Sequence, residues 1–341
     1  MKTKELSQLK TRPVMATVIL TVGVAVLVIS AFIGIAVGAA DIDLATVWDA
    51  LFHYNKALTT HQIIWELRIP RVLADMMVGA AFAVAGAVMQ GMTRNPLADS
   101  GLLGLNAGSA FMIAVCFAFL PGLSYNYLIF FSFLGAAIGC ILVFGVSALV
   151  KGGLSPTRLV LAGAAVASLL TALSEGIAIY FKLGQDLAFW FAGGVAGVKW
   201  SQIAVVWPWL LGALIAAILL SKSVTILSLG DDIAIFLGQN TTRTKLLSML
   251  IVLILAGMAV SVVGPVGFIG LIVPHLVRYM VGVDYRWIIP CSAVIGALLT
   301  LYADIGARMV NPPYETPISV IFALIGVPFF LYVARKERRS L

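Results

Sequence analysis

Charged residues are scarce in this 341-residue chain, at 11% of all positions, whereas soluble domains average roughly a quarter. Hydrophobic residues make up 61% of the chain, and the mean hydropathy is +1.06. So little charge disfavours water-soluble enzyme folds and predicts an integral membrane protein. The net charge of +7 does not indicate nucleic-acid binding, because the basic residues lie between apolar runs and do not form one face.

Cysteine, histidine and catalytic motifs are also sparse. The three cysteines, Cys116, Cys140 and Cys291, lie inside apolar runs and imply neither a disulfide framework nor a CxxC metal site. The three histidines are far apart in the sequence, and no Walker A, HExxH or GxSxG pattern occurs. We therefore expect no catalytic residue, no metal site and no cofactor bound by this chain.

Long apolar runs are what the sequence does contain. A membrane span needs about 20 apolar residues, and ten runs approach that length. The pattern predicts an all-α polytopic membrane protein, with one transmembrane domain over 1–341. The predicted spans are 14–38, 69–91, 102–121, 127–150, 157–181, 203–221, 246–264, 266–283, 287–309 and 316–334. The seventh and eighth meet at VVGPVGFIG, and the sequence leaves open whether they form one span.

Small residues recur every four positions in the second span. They are Gly79, Ala83, Ala87 and Gly91. Such a stripe lets another helix approach closely, so we interpret it as a packing surface.

Basic residues favour one orientation of the ten spans. With the N-terminus in the cytoplasm, sixteen Lys and Arg residues lie inside and six lie outside or at outer span ends. Because cytoplasmic loops of membrane proteins carry excess Lys and Arg, we expect both termini in the cytoplasm.

Charges within spans are few and are expected to be functional or paired. Asp75 follows Arg71 by four residues, and Asp304 precedes Arg308 by four, so both pairs could close as helical ion pairs. Glu175 has no obvious local partner. It either lines a polar pathway or hydrogen-bonds to a neighbouring helix.

Three arginines oppose the charge rule at the outer span ends. Arg68 and Arg71 lie in WELRIPRVL at the mouth of span two, and Arg308 ends span nine. One interpretation is a partner that carries carboxylates, which arginine binds through two parallel hydrogen bonds. The other is that the arginines reach lipid headgroups.

A polar segment, LSLGDDIAIFLGQNTTRTK at 227–245, interrupts the apolar pattern on the predicted inner side. It predicts a short amphipathic helix from Asp231 to Leu237, a glycine turn and a second short helix. Acids at the helix start suit its dipole. This two-helix elbow is either a docking knob for another protein or a solvated loop.

Three long stretches resemble the FecCD family, the permease subunits of ATP-driven importers for ferric siderophores, haem and vitamin B12. They are the segment from RIPRVLADMMVG to TRNPLADSGLLGLNAGSAF, then GPVGFIGLIVPHLVRYMVG, and then ADIGARMVNPPYETPISVIFALIGVPFFLYV. The resemblance covers about Glu66 to Val333. It implies the type II ABC importer permease fold, also called BtuC-like, in the bacterial cytoplasmic membrane.

The resemblance also implies partners and site residues. The partners are a second permease subunit, identical or paralogous, two copies of a cytoplasmic ATPase, and an extracytoplasmic substrate-binding protein. ATP hydrolysis would then occur in a separate chain. Binding-protein docking falls on Arg68, Arg71 and Arg308; ATPase coupling on Gly230, Asp231, Asp232, Ala234, Leu237 and Gly238; and the cytoplasmic gate on Asn95, Pro96 and Leu97.

The sequence thus predicts a transmembrane permease subunit of an importer, with a ferric siderophore as the favoured substrate and haem or vitamin B12 as alternatives. Two rival functions are an ion-coupled secondary transporter that uses Glu175 as proton carrier, and a membrane receptor without transport. The secondary transporter leaves the elbow and the outer arginines unexplained, and a substrate flux assay would separate the receptor from the importer.

Overall fold

The computed structural model describes residues 11–38, 42–149, 156–311, 314 and 316–338. Over these residues the regular structure is helical, which confirms the all-α prediction. A π-helical turn covers Ile64–Arg68, and a 3-10 turn covers Ser100–Leu103. The α-helices are α1 (Pro13–Ala36), α2 (Leu44–Phe52), α3 (Thr59–Ile63), α4 (Ile69–Thr93), α5 (Leu105–Phe119), α6 (Tyr125–Leu149), α7 (Pro156–Phe181), α8 (Gly184–Ala192), α9 (Trp200–Ser228), α10 (Asp231–Phe236), α11 (Thr241–Val263), α12 (Ile269–Val281), α13 (Tyr285–Val310) and α14 (Ile318–Arg338).

Ten apolar helices are candidates for the membrane spans. By length and composition, seven segments within the described ranges could cross a membrane, namely α1, α4 with the turns before it, α6, α7, α9, α11 and α13. The apolar helices α5 and α12 and the 318–333 part of α14 are shorter. Together they match the predicted number of ten. The predicted spans 203–221 and 287–309 lie within longer helices, α9 and α13.

The boundary between the seventh and eighth spans is a true break. α11 ends at Val263, and α12 begins at Ile269. Gly264, with φ +76°, and Phe268, with φ +70°, both adopt left-handed backbone in between. The freed carbonyl of Val263 accepts a hydrogen bond from the backbone N–H of Gly194 at 2.8 Å, so this interior loop is satisfied by protein.

The helix α4 is the centre of the bundle, and 83% of an apolar 18-residue stretch of the span that contains it is buried. A Cβ added to Gly79 would overlap the backbone of Gly296 on α13, and one added to Gly86 would overlap Gly270 on α12. These helices therefore meet at backbone contact, which confirms the small-residue stripe as a packing surface.

Two ends of the bundle carry the candidate site residues. The arginine end holds Arg68, Arg71 and Arg308, and the elbow end holds α10 and the loop 94–99. The 25 residues of α4 join them over about 37 Å, at ~1.5 Å per residue.

Candidate functional site at the two ends of the bundle

At the arginine end, two arginines converge on one buried carboxylate. Nε of Arg71 lies 3.1 and 3.2 Å from the two oxygens of Asp304, and Nη2 lies 2.8 Å from Oδ1. Nη2 of Arg308 lies 2.9 Å from Oδ2 of Asp304, so the predicted Asp304–Arg308 pair is confirmed. Arg71 thus pairs across the α4–α13 interface, with a geometry typical of strong arginine–carboxylate pairs.

The expected ion pair between Arg71 and Asp75 is not among the close arginine–carboxylate contacts of this cluster. Asp75 is fully buried, and neither of its carboxylate oxygens accepts a hydrogen bond from the described residues. Its neighbours are Asp304, Arg71 and Arg308, so it belongs to the same cluster. The helical spacing favours a local pair, but the guanidinium of Arg71 makes its carboxylate contacts of 2.8–3.2 Å with Asp304 on α13.

Arg68 and Arg308 bind the carboxyl end of α1. Nη1 of Arg68 donates to the carbonyls of Ile35 and Ala36, at 2.6 Å each. Nη1 of Arg308 donates to two further carbonyls at this end, at 2.7 and 3.0 Å. The last carbonyls of a helix lack partners within it and carry partial negative charge, so both guanidinium groups neutralise this end.

The three arginines at this end therefore have roles within their own chain. Arg68 is 8% and Arg308 9% exposed, and the side chain of Arg71 is 13% exposed. Such burial leaves little guanidinium surface for a partner. Their contact with a substrate-binding protein stays a prediction.

At the elbow end, α4 stops at Thr93 and Arg94 takes the left-handed conformation, with φ 54° and ψ 31°. Glycine or asparagine usually occupies this position after a helix. Asn95 then folds the chain around Pro96, because its side chain accepts from the N–H of Leu97 at 2.9 Å and its carbonyl from Ala98 at 3.0 Å. Residues 95–97 thus form a tight turn, and its gating role stays a prediction.

Asp99, which follows this turn, faces the start of α12. A Cβ on Gly270 would lie 2.6 Å from its Oδ1. Burial raises the pKa of the Asp99 carboxyl, while hydrogen bonds from the backbone of Ser100 and Gly101 oppose that rise. The loop after α4 therefore packs on α12 through Asp99, and burial there favours the neutral form of its carboxyl.

The elbow is a single short helix between two long ones. Gly230, with φ +128°, and Gly238, with φ +77°, bracket α10. The predicted second short helix is wrong. The side chain of Asn240 accepts from the N–H of Arg243 at 2.9 Å and caps α11, which continues without a break from Thr241 to Val263.

The exposed face of α10 differs from the predicted one. Ala234 is fully buried within its own chain, so it is not available to a partner. Phe236 is 90% exposed and Leu237 58% exposed, and Ile233 and Ile235 are also exposed. The apolar run IAIF within a polar segment indicates a contact surface, but the sequence alone does not show which of its side chains face outward.

A hydrogen-bond network near the elbow end joins three helices. Nη2 of Arg278 donates to Oε1 of Gln90 at 3.3 Å and to the hydroxyl of Tyr285 at 2.7 Å. Nε2 of Gln90 donates in turn to the carbonyl of Gly270 at 3.2 Å. This network ties α4 to α12 and α13, and sequence reasoning missed it because Gln90 is 188 residues from Arg278.

Glu175 lies on an exposed face of α7. Ser168 and Thr171 lie on the same helical face, at spacings of seven and four residues from Glu175, and are exposed too. A polar stripe on a membrane-spanning helix is expected to face water or another protein rather than lipid. This placement favours the pathway interpretation of Glu175 over an internal hydrogen bond.

Two of the three histidines come together in the structure. Nδ1 of His53 and Nε2 of His61 lie 3.3 and 3.5 Å from the oxygens of Asp49. Even so, no group of three or more His, Cys, Asp or Glu within the described ranges has a geometry that could hold a metal ion.

Two known proteins that are similar to this chain in sequence are named as membrane permeases. The permease protein FhuB of the iron(3+)-hydroxamate import system of Bacillus subtilis (strain 168) is 54% identical over 326 residues, covering 96% of this chain and 85% of the relative. The iron-uptake system permease protein FeuB of the same organism is 42% identical over 309 residues, covering 91% and 92%.

A solved structure has the same fold. This metal-chelate type ABC transporter, in an inward-facing conformation, superposes with a TM-score of 0.82 at 29% identity, covering 93% of this chain and 99% of that one. The sequence model of the FecCD transport family matches residues 26–336, which include all three stretches that carried the resemblance. The chain is therefore a member of the FecCD transport family.

Proposed function

We propose that this chain is the permease subunit of an ATP-binding-cassette importer that takes up ferric hydroxamate siderophores. The observation that carries the substrate class is the 54% identity, over 96% of the chain, to a permease named for iron(3+)-hydroxamate import. Ferric citrate and haem are the substrates named for more distant relatives, at 41% and 36% identity.

Uptake in proteoliposomes tests this proposal. The chain is purified together with the ATPase and binding protein that accompany it, and radioactive iron is supplied as a ferric trihydroxamate, as ferric citrate or as haem. We expect ATP-dependent uptake of the trihydroxamate that survives collapse of the proton gradient. Uptake driven by the proton gradient without ATP would instead support the secondary transporter, and binding without flux would support the receptor.

The cytoplasmic partner is proposed to be a pair of ATPase subunits that receive α10. Support comes from the exposed apolar side chains of Phe236 and Leu237 at the tip of a helix held firmly by its own chain. Gln239 anchors the end of this elbow, because its amide donates to the carbonyl of Ser223 at 3.0 Å and to the hydroxyl of Thr244 at 2.8 Å. An apolar knob on a rigid base suits insertion into a cleft.

A second permease, identical or paralogous, is proposed to face α7 and α14. The span in α7 is 28% buried within this chain, and Leu324 and Leu331 on α14 are exposed. The polar stripe of Glu175 would then line a pathway between the two subunits. Spin labels on exposed positions of α7 should report short intersubunit distances only in the assembled transporter.

The arginine end is proposed to face outward and to receive the substrate-binding protein. The excess of basic residues at the other end supports this orientation, with both termini in the cytoplasm of a bacterial cell. We expect the arginine cluster to hold the docking surface in shape, and Arg71 to offer the partner its exposed edge. Reporter fusions at both termini would test the orientation.

A further inference from the structure

We propose that Asp231 links the cytoplasmic gate loop to the ATPase-coupling helix, through ion pairs with Arg94 and Lys245. This inference rests on the proposed function, because it assigns the connection through which α10 moves the gate. Asp231 is the first residue of α10, Arg94 is the first residue after α4, and Lys245 lies in the first turns of α11.

The geometry places one carboxylate oxygen between two cations. Oδ2 of Asp231 lies 2.9 Å from Nζ of Lys245 and 3.6 Å from Nη2 of Arg94. The other oxygen, Oδ1, is buried and accepts no hydrogen bond from the described residues. Asp231 therefore retains acceptor capacity, which a rearranged Arg94 can fill.

The backbone supports the same contact. The backbone of Arg94 adopts the left-handed conformation, which residues other than glycine, asparagine and aspartate seldom take. Gly230 precedes the helix at φ +128°, and a Cβ there would lie 3.6 Å from Nη1 of Arg94. The guanidinium thus lies close to the backbone of Gly230, so the start of α10 contacts the first residue of the gate loop both through this approach and through the ion pair.

Stability alone is a poor explanation for this cluster. The side chains of Arg94, Asp231 and Lys245 are 42%, 35% and 21% exposed. Partly exposed pairs are weakened by solvent and salt and add little to folding. The same property suits a contact that must lengthen and shorten during a transport cycle.

The proposal is tested by the ratio of iron chelate imported to ATP hydrolysed. Arg94→Gln and Asp231→Asn should each lower this ratio roughly five-fold, within the range of lost coupling contacts. Arg94→Gln should still copurify with the ATPase, because Arg94 lies outside α10 and the exposed apolar residues of that helix are unchanged. Arg94→Lys keeps the charge and should retain more than half of the parental ratio.

Arg243→Gln is the matched control. Arg243 is exposed, lies in the same part of the chain and is not a member of the cluster. It should leave the ratio within about two-fold of the parent. Parental ratios in both Arg94→Gln and Asp231→Asn would overturn the proposal.

A labelling experiment separates this inference from the proposed function. Leu97→Cys is introduced into a variant in which the three native cysteines are replaced. The rate at which its thiol is labelled is then measured in two states of the complex, one with the ATPase nucleotide-free and one with it trapped by vanadate. The rate should differ about three-fold between the two states, and Arg94→Gln should abolish that difference. If no ATPase copurifies with the parent, the proposed function fails. If the ATPase binds and the difference persists in Arg94→Gln, this inference alone fails.

Discussion

Replacing Arg308 by methionine separates an internal role of the arginine end from a docking role. Arg308 is 7% exposed at its side chain, donates to two carbonyls at the end of α1 and pairs with Asp304 at 2.9 Å. Methionine fills much of the same volume but offers no donor. The substitution therefore leaves two helix-end carbonyls unpaired and removes one of the two cations around Asp304.

The size of the effect follows from burial. Hydrogen bonds to charged groups contribute roughly 1.5–3 kcal/mol each, and removing one partner of a buried ion pair costs about 3–5 kcal/mol. These contributions overlap, and Arg71 still pairs with Asp304, so we expect a loss of about 3–5 kcal/mol in all. At ~2–3 °C per kcal/mol, the melting temperature should fall by roughly 6–15 °C.

Thermal melting in detergent measures this loss, and Arg286→Met is the control. Arg286 also pairs with an aspartate, at 2.7 Å from Asp284, but its side chain is 64% exposed. Asp284 is buried, but without the guanidinium it still accepts hydrogen bonds from the backbone N–H of Arg286 at 3.0 Å and the hydroxyl of Thr225 at 3.3 Å. An exposed guanidinium contributes little, so Arg286→Met should melt much closer to the parent than Arg308→Met. If Arg308→Met also melts with the parent while its affinity for the binding protein falls about ten-fold, the internal role is refuted and the docking role stands.

Four further outcomes follow from the structure. Phe236→Asp places a charge on a side chain that is 90% exposed at the tip of α10, so it should abolish ATPase copurification while the chain still inserts in the membrane. Glu175→Gln should keep uptake within a few-fold of the parent if the residue only lines the pathway, whereas complete loss at normal membrane levels would support a proton carrier. Gly86→Val should overlap the backbone of Gly270 and lower the yield of folded protein, whereas Gly145→Val, with nothing within 4 Å, should not. Burial raises the pKa of Asp99 above its ordinary 3.8. The contribution of Asp99 to the free energy of unfolding therefore declines as pH rises through the raised pKa. Asp99→Asn should flatten the dependence of melting temperature on pH above 4.

The spans and the packing of α4 were predictable because their signals are local. A run of apolar residues and a repeat of small residues every four positions both follow from helix geometry. The pairing at the arginine end was not predictable in the same way. Arg71 and Asp304 are 233 residues apart, and Arg68 reaches α1 over 33 residues, so only the folded arrangement brings them together.

The elbow shows a different reason for error. A six-residue helix completes fewer than two turns, so its sequence does not fix which side faces the protein. The sequence predicts a partner contact for Ala234, but this residue is buried because α10 lies on α9 and α11 with that side inward. The low hydropathy of the short polar run TTRTK predicts a separate helix, but backbone hydrogen bonding continues from Thr241 through α11.

The position of α4 connects the two ends physically. Its glycines hold it in backbone contact with α12 and α13, so it cannot rotate or bend without moving both helices. Packed interfaces of this kind shift between discrete arrangements rather than deform gradually. A displacement of Arg94 by α10 should therefore also displace Arg71 at the other end of the same helix. Because such coupling free energy acts equally in both directions, docking of a binding protein at the arginine end should change the nucleotide affinity of the ATPase, and Arg94→Gln should weaken that effect.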